Sequence, residues 1–174
     1  MEFTATGGEA GRSDCAGRTT GADLAGAGWT PNDARNVELA PQVLGKIVVD
    51  TTVPLVPPKV MRVQLPPEGS AALRAQQALG EGVRVVSAFH NVAAHKLATD
   101  EAVACDVLVF GDEKAAREEV LQVVEDCGLR GLHAGALANS AAAEALTSVL
   151  IFINKHYAAD GAGLQITGAA PSAH

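Results

Sequence analysis

From Glu38 onwards, short β-branched runs alternate with segments of helical periodicity, and this alternation restricts the fold more than any other feature of the chain. The usual outcome of a repeated strand–helix order is a parallel sheet with crossover helices. Lys46 to Asp50, Val83 to Phe89, Asp106 to Phe110 and Leu129 to His133 read as the strands. Between the first two, Ser70 is placed to cap a helix that runs to Leu79 and is ended by Gly80 and Gly82. A second helix enters through Gly111-Asp112, stops at Gly128, and buries Ala116, Val120, Val123 and Val124 on one face. Asn139 to Tyr157 reads as one long buried helix and Gly163 to Thr167 as a last short extended piece. Pro54, Pro57 and Pro58 keep the connection after the first strand out of regular helix and inner strand, because proline lacks the amide that both require.

Ligands of open α/β sheets sit beyond the C-terminal ends of the strands. On a parallel sheet this predicts one rim shared by three segments: Thr51 to Pro58, His90 to Ala94 and Ala134 to Asn139.

The residues before this pattern are different in kind. Gly7, Gly8, Gly11, Gly17, Gly21, Gly26 and Gly28 are scattered among small and polar residues, which predicts a disordered Gly/Ala-rich leader over residues 1–37. The ordered unit is expected over 38–168, with a loose tail at 169–174. A net charge of -7 without clustered Lys and Arg argues against a nucleic-acid partner. Cys15, Cys105 and Cys127 form no CxxC pair and leave one thiol over in any disulfide scheme, which points to a reducing, cytoplasmic setting. No basic segment leads into an apolar run at the N-terminus. The apolar stretch Ala141 to Ile153 is interrupted by Glu144, Thr147 and Ser148 and falls short of the roughly 20 residues that span a bilayer. A single soluble domain, not associated with a membrane, is the expectation.

Six segments in order carry a resemblance: Gly45 to Leu55 (GKIVVDTTVPL), Val86 to Ala94 (VSAFHNVAA), Cys105 to Asp112 (CDVLVFGD), Gly128-Leu-Arg130, Ala145-Leu-Thr147, and Gly161 to Gly168 (GAGLQITG). Together they resemble the deazaflavin-dependent NADP reductases, the coenzyme F-420:NADP oxidoreductases, over about Leu39 to Gly168. The resemblance implies the later part of a Rossmann-type parallel sheet with crossover helices and a long C-terminal helix. It also implies a homodimer, NADP and coenzyme F-420 as cofactors, and hydride transfer between the two. The family opens with a strand, a GG-x-G loop, a helix and a second strand, which hold the pyrophosphate and the 2′-phosphate. Here about forty-five residues precede the Lys46 strand, and one βαβ unit alone takes roughly thirty. Thr6-Gly-Gly-Glu-Ala-Gly11 has suitable glycines, but no apolar strand leads into it and no amphipathic helix follows. The chain is therefore expected to be N-terminally shortened and impaired in NADP binding. It also has His133-Ala-Gly-Ala-Leu137 and Ala141 where the resemblance leads one to expect Asp-Ala-Gly-Pro-Leu and an Arg.

By the same resemblance, His90 lies beside the deazaflavin and positions it, with no acid–base role, since the cofactors themselves carry the hydride. Asn91, Val92 and Ala94 follow on that turn, while Thr52, Val53 and Pro54 fall on the nicotinamide side. Ala162 and Gly163 either approach the deazaflavin with bare backbone or form a plain turn. His90 and His95 fit no common ligand spacing, and no carboxylate or thiol is seen to complete a set, so no metal site is expected. Asp50 and Asp106 read as turn or cap residues, and Cys105 and Cys127 as core. Leu146, Val149, Leu150 and Ile153 read as core or dimer contact. Two other readings stay open: a non-catalytic interaction module of the same fold, and an NADP-dependent imine or pyrroline carboxylate reductase.

Overall fold

A computed structural model of the chain describes residues 2–4, 39–98 and 102–169. Five strands lie side by side in chain order: β1 (Glu2–Thr4), β2 (Ile47–Asp50), β3 (Arg84–Ser87), β4 (Asp106–Gly111) and β5 (Arg130–His133). Helices among the described residues include α1 (Ala71–Leu79), the single turn α2 (Ala94–Leu97), α3 (Lys114–Asp126) and α4 (Ser140–Tyr157). A 3₁₀ turn at Leu137–Asn139 leads into α4.

Side chains alternate across a strand, so β2 serves two cores at once. Ile47 and Val49 join Val86, Val107, Val109, Val120 and Val124 under α3, while Val48 joins Val85, Ala72, Leu79 and Leu137 on the opposite face under α1. Both faces being covered explains why β2 is an unbroken apolar run. The expected helix signals act as read. Ser70 Oγ accepts the Leu73 amide at 3.0 Å, Gly80 ends α1 at a φ of 82°, and Gly128 follows α3 at 73°.

Glu2–Thr4 pairs parallel with β2, Phe3 opposite Val49. Residues 5–38, with the Thr6–Gly11 glycines and Cys15, and the tail from 170 lie outside the described residues. The sheet is not uniformly parallel. β1, β2 and β3 run together and β5 runs with β4, but β4 is antiparallel to β3, Ser87 opposite Phe110. Among the described residues, the β3–β4 connection holds one helical turn of four residues, which rises only about 6 Å. β4 accordingly starts at the edge where β3 ended.

This reversal divides the predicted rim. The segment after β5 emerges at the far edge, where the Gly111 amide bonds the Gly135 carbonyl at 3.1 Å and Leu137 packs with Val83 and Val85. Ala134 to Asn139 therefore does not share an edge with Thr51 to Pro58 and His90 to Ala94. Helix α4 runs back from that far edge and delivers different residues to the rim.

Candidate functional site

Three elements converge at the C-terminal edge of β2 and β3. Asp50 is the last residue of β2, and His90 lies just past β3, after Phe89, which holds a φ of 65°. A left-handed conformation at a bulky residue costs on the order of 1–3 kcal/mol and is retained where the surroundings fix it. The third contributor is Glu144 on α4. Its carboxylate accepts the Ala71 amide at 2.7 Å, the Ala72 amide at 3.2 Å and the Ser140 hydroxyl at 3.2 Å. The first amides of a helix have no partner within the helix and attract negative charge, so Glu144 completes the N-terminus of α1. Ser140 Oγ also lies 2.9 Å from Ser70 Oγ, within hydrogen-bond distance, and small residues at 70–72 let α4 come this close.

One ligating atom from each of Asp50, His90 and Glu144 lies within 4.8 Å of the others. All three residues are buried. Burial pushes the Asp50 carboxyl up to about 6, because desolvation penalises the charged form. Burial likewise raises Glu144 to about 7, with the nearby Asp50 charge adding to the effect, and lowers His90 to about 4. The imidazole is thus neutral at pH 7. Asp50 Oδ1 accepts the Thr52 amide at 3.1 Å and His90 Nε2 lies 3.1 Å from Ser87 Oγ. Asp50 Oδ2 and His90 Nδ1 are buried and have no hydrogen-bond partner among the described residues. Such a cluster can hold a proton or a cation.

The sequence-predicted residues separate into groups. Thr52 contacts the cluster through its amide, Val53 is half-buried and Pro54 is buried. Asn91 is committed to α4, donating to the Ala143 carbonyl at 2.9 Å and to Thr147 Oγ1 at 3.2 Å, while the Thr147 hydroxyl donates to the His90 carbonyl at 2.9 Å. Val92 belongs to the core and Ala94 is exposed. At Gly163, a Cβ would stand 2.7 Å from Cys105 Sγ, so this glycine makes room for a buried thiol. The Ala162 amide bonds Asn154 Oδ1 at 2.7 Å. His95 pairs with Asp160 at 2.9 Å on the surface, away from any set with His90.

The expectation that no carboxylate accompanies His90 is corrected: Asp50 and Glu144 both do. Glu144 appeared in the sequence as an interruption of an apolar run. Its only signal was an acid at an inward position of a helix otherwise lined by Ala143, Ser140 and Leu150. The segment Leu137–Tyr157 is long and apolar enough to cross a membrane by length and composition, with a mean hydropathy of 1.3. Its buried Ser140, Glu144 and Ser148 are bonded to groups of the protein, as in a core helix.

The sheet, its two helical layers and the rim define an α/β protein of the Rossmann-like class, most of whose sheet is parallel. Over about three quarters of its length the chain is similar to F420-dependent NADP reductases. It is 38% identical over 135 residues to the F420-dependent NADP reductase of Methanocaldococcus jannaschii, covering 75% of this chain and 60% of that protein. It is 37% identical over 146 residues to the enzyme of the same name from Methanothermobacter thermautotrophicus, covering 79% and 63%. The chain thus spans about three fifths of the length of these relatives. Among solved structures, a candidate F420-dependent NADP reductase from Arthrobacter sp. FB24 superposes with a TM-score of 0.66 at 24% identity, over 74% of this chain and 60% of that one. A hypothetical protein from Sinorhizobium meliloti superposes at 0.51 and 22% identity, over 63% and 55%. These two bear on the fold alone. No family model matches the chain.

Proposed function

We propose that this chain forms the nicotinamide- and deazaflavin-facing part of a cytoplasmic NADPH:F-420 oxidoreductase. The observation that carries the reading is the alignment with the named reductases, joined to the shared edge on which Asp50–Pro54 and His90–Val92 meet. Thr52, Val53 and Pro54 border the nicotinamide, and His90, Asn91, Val92 and Ala94 the deazaflavin, with Ala162 and Gly163 closing that side. When bound, NADPH supplies the hydride and F-420 accepts it. The protein's task is to hold the two rings together and exclude water. A neutral His90, fixed by Ser87 and by Thr147 on its carbonyl, suits positioning.

Residues 39–169 supply no GG-x-G turn opening a helix, so the proposal includes weak NADPH binding by the 174-residue chain. Joining the strand–loop–helix–strand of a related reductase to its N-terminus restores 2′-phosphate-selective binding. Titration calorimetry with NADPH, and stopped-flow absorbance of F-420, test this. His90→Ala in the joined protein lowers the hydride-transfer rate without abolishing it. A joined protein that binds NADPH but leaves F-420 unreduced refutes the activity. Tight, selective binding by the unmodified chain instead refutes the weak-binding part and moves the nucleotide site to residues 5–38. The apolar side of α4, with Val149 and Phe152 exposed, is the proposed homodimer contact, and a monomer by light scattering refutes it.

A further inference from the structure

We propose that Asp50, His90 and Glu144 bind one divalent transition-metal ion. Three donors from three elements reach one buried point within 4.8 Å of one another. The remaining atoms of each donor are already restrained. Ser87 holds His90 Nε2, leaving Nδ1 as the free nitrogen, and the Thr52 amide holds Asp50 Oδ1, leaving Oδ2. The amides of Ala71 and Ala72 and the hydroxyl of Ser140 fix the Glu144 carboxylate and leave lone-pair capacity on Oε2. Outer partners that orient each ligand in this way are the usual surroundings of a metal site.

Charge points the same way. Two carboxylates stand in the protein interior, and among the described residues no ion pair reaches either of them. Buried polar atoms without a partner are uncommon in folded proteins, and two of the three residues in this cluster each carry one. One dication with a neutral imidazole and two carboxylates gives a site without net charge. A single nitrogen among oxygens suits zinc, manganese or ferrous iron better than calcium or magnesium, which prefer oxygen alone. The inference does not depend on the hydride-transfer reading, since it concerns only the ions that this cluster can take.

The test uses the full chain, freed of metal by chelation, titrated calorimetrically with ZnCl2 and with MnCl2 and followed by thermal melting. The expected result is one equivalent bound per chain and a raised melting temperature, since an ion bound only by the folded state stabilises it. Asp50→Asn and His90→Gln should each weaken binding by more than about tenfold, a loss that even outer partners of a metal ligand cause. His133→Ala and His156→Ala, both at exposed residues, should leave it unchanged. Should the cluster variants fail to fold, the wild-type chain loaded with Co²⁺ still decides: nitrogen–oxygen ligation gives visible bands without thiolate charge transfer. Absence of saturable one-to-one binding, loss of binding only in the surface histidine variants, or a thiolate band placing the ion on a cysteine would each overturn the proposal.

Discussion

Asp50 and Asp106 stand at the same edge of the sheet, one ending β2 and the other starting β4, and each is 3% exposed. They differ in what the next strand puts opposite them. Asp106 is in register with Arg130, whose guanidinium bonds both its oxygens, and it also accepts the Ile166 amide at 2.6 Å. The Arg130 bonds hold its carboxyl below the usual range. Asp50 has Thr4 and Ser87 as register partners and keeps one oxygen without a hydrogen-bond partner among the described residues, so burial pushes it up to about 6. At equal solvent exposure the shifts are opposite, desolvation prevailing at Asp50 and the Arg130 bonds at Asp106. One aspartate is a fastener of the fold; the other is left available for chemistry.

The largest effect is expected from making the first aspartate resemble the second. Arg130→Met leaves the Asp106 carboxylate with only the Ile166 amide to support it, which should destabilise the fold more than removing the carboxylate itself. Urea denaturation at pH 7 should show the midpoint falling accordingly; an unchanged midpoint would mean that the pair contributes nothing. Asp106→Asn should cost less, about 1–3 kcal/mol, because Arg130 is then free to turn to water. Its pH dependence has a definite sign. A carboxyl with a depressed folded-state pKa contributes stability that is full above its unfolded value, near 3.9, and lost as pH falls through the folded value. The gap between wild type and Asp106→Asn should therefore hold from pH 7 to about 5 and close below about 4. A gap that closes nearer pH 6 would show that the two aspartates are alike after all.

In sequence the two aspartates are nearly indistinguishable, each beside a run of Val and Ile or Leu, and both read as turn or cap residues. Strand positions, the Ser70 cap, the stops at Gly80 and Gly128 and the buried face of α3 were legible because they rest on local periodicity and backbone preference. Strand direction was not. A run of β-branched residues carries no arrow, and the reversal shows only in the pairing of β4 with β3. That reversal also decides which segments share the rim, so Ala134 to Asn139 was misplaced. His90 was legible through resemblance, but its companions were not. Glu144 meets Ala71 and Ala72 at sequence separations of 73 and 72, beyond the reach of any local pattern.

The smallest expected effect is also the one that most sharpens the comparison. In the metal-free chain, Asp50→Asn removes a carboxylate that folding has taken out of water without a compensating cation. A rise in pKa from 3.8 to about 6 corresponds at pH 7 to an unfavourable contribution of a few kcal/mol at most. The amide recovers only part of this, because its NH2 group needs partners of its own, leaving a net stabilisation of about 1 kcal/mol. The sign is opposite to that of Asp106→Asn. For a carboxyl whose folded value is raised, the folded state takes up the proton first, so wild-type stability should gain on the variant as pH falls from about 6 towards 4. The advantage of Asp50→Asn should shrink across that window, where the Asp106→Asn gap is still open. Adding ZnCl2 should reverse the order at pH 7, since the ion stabilises wild type and finds one ligand fewer in the variant. Thermal melts of both variants across pH 4–7, with chelator and with zinc, measure all of this. Destabilisation by Asp50→Asn under chelator, equal to that of Asp106→Asn, would break the distinction between the two sites.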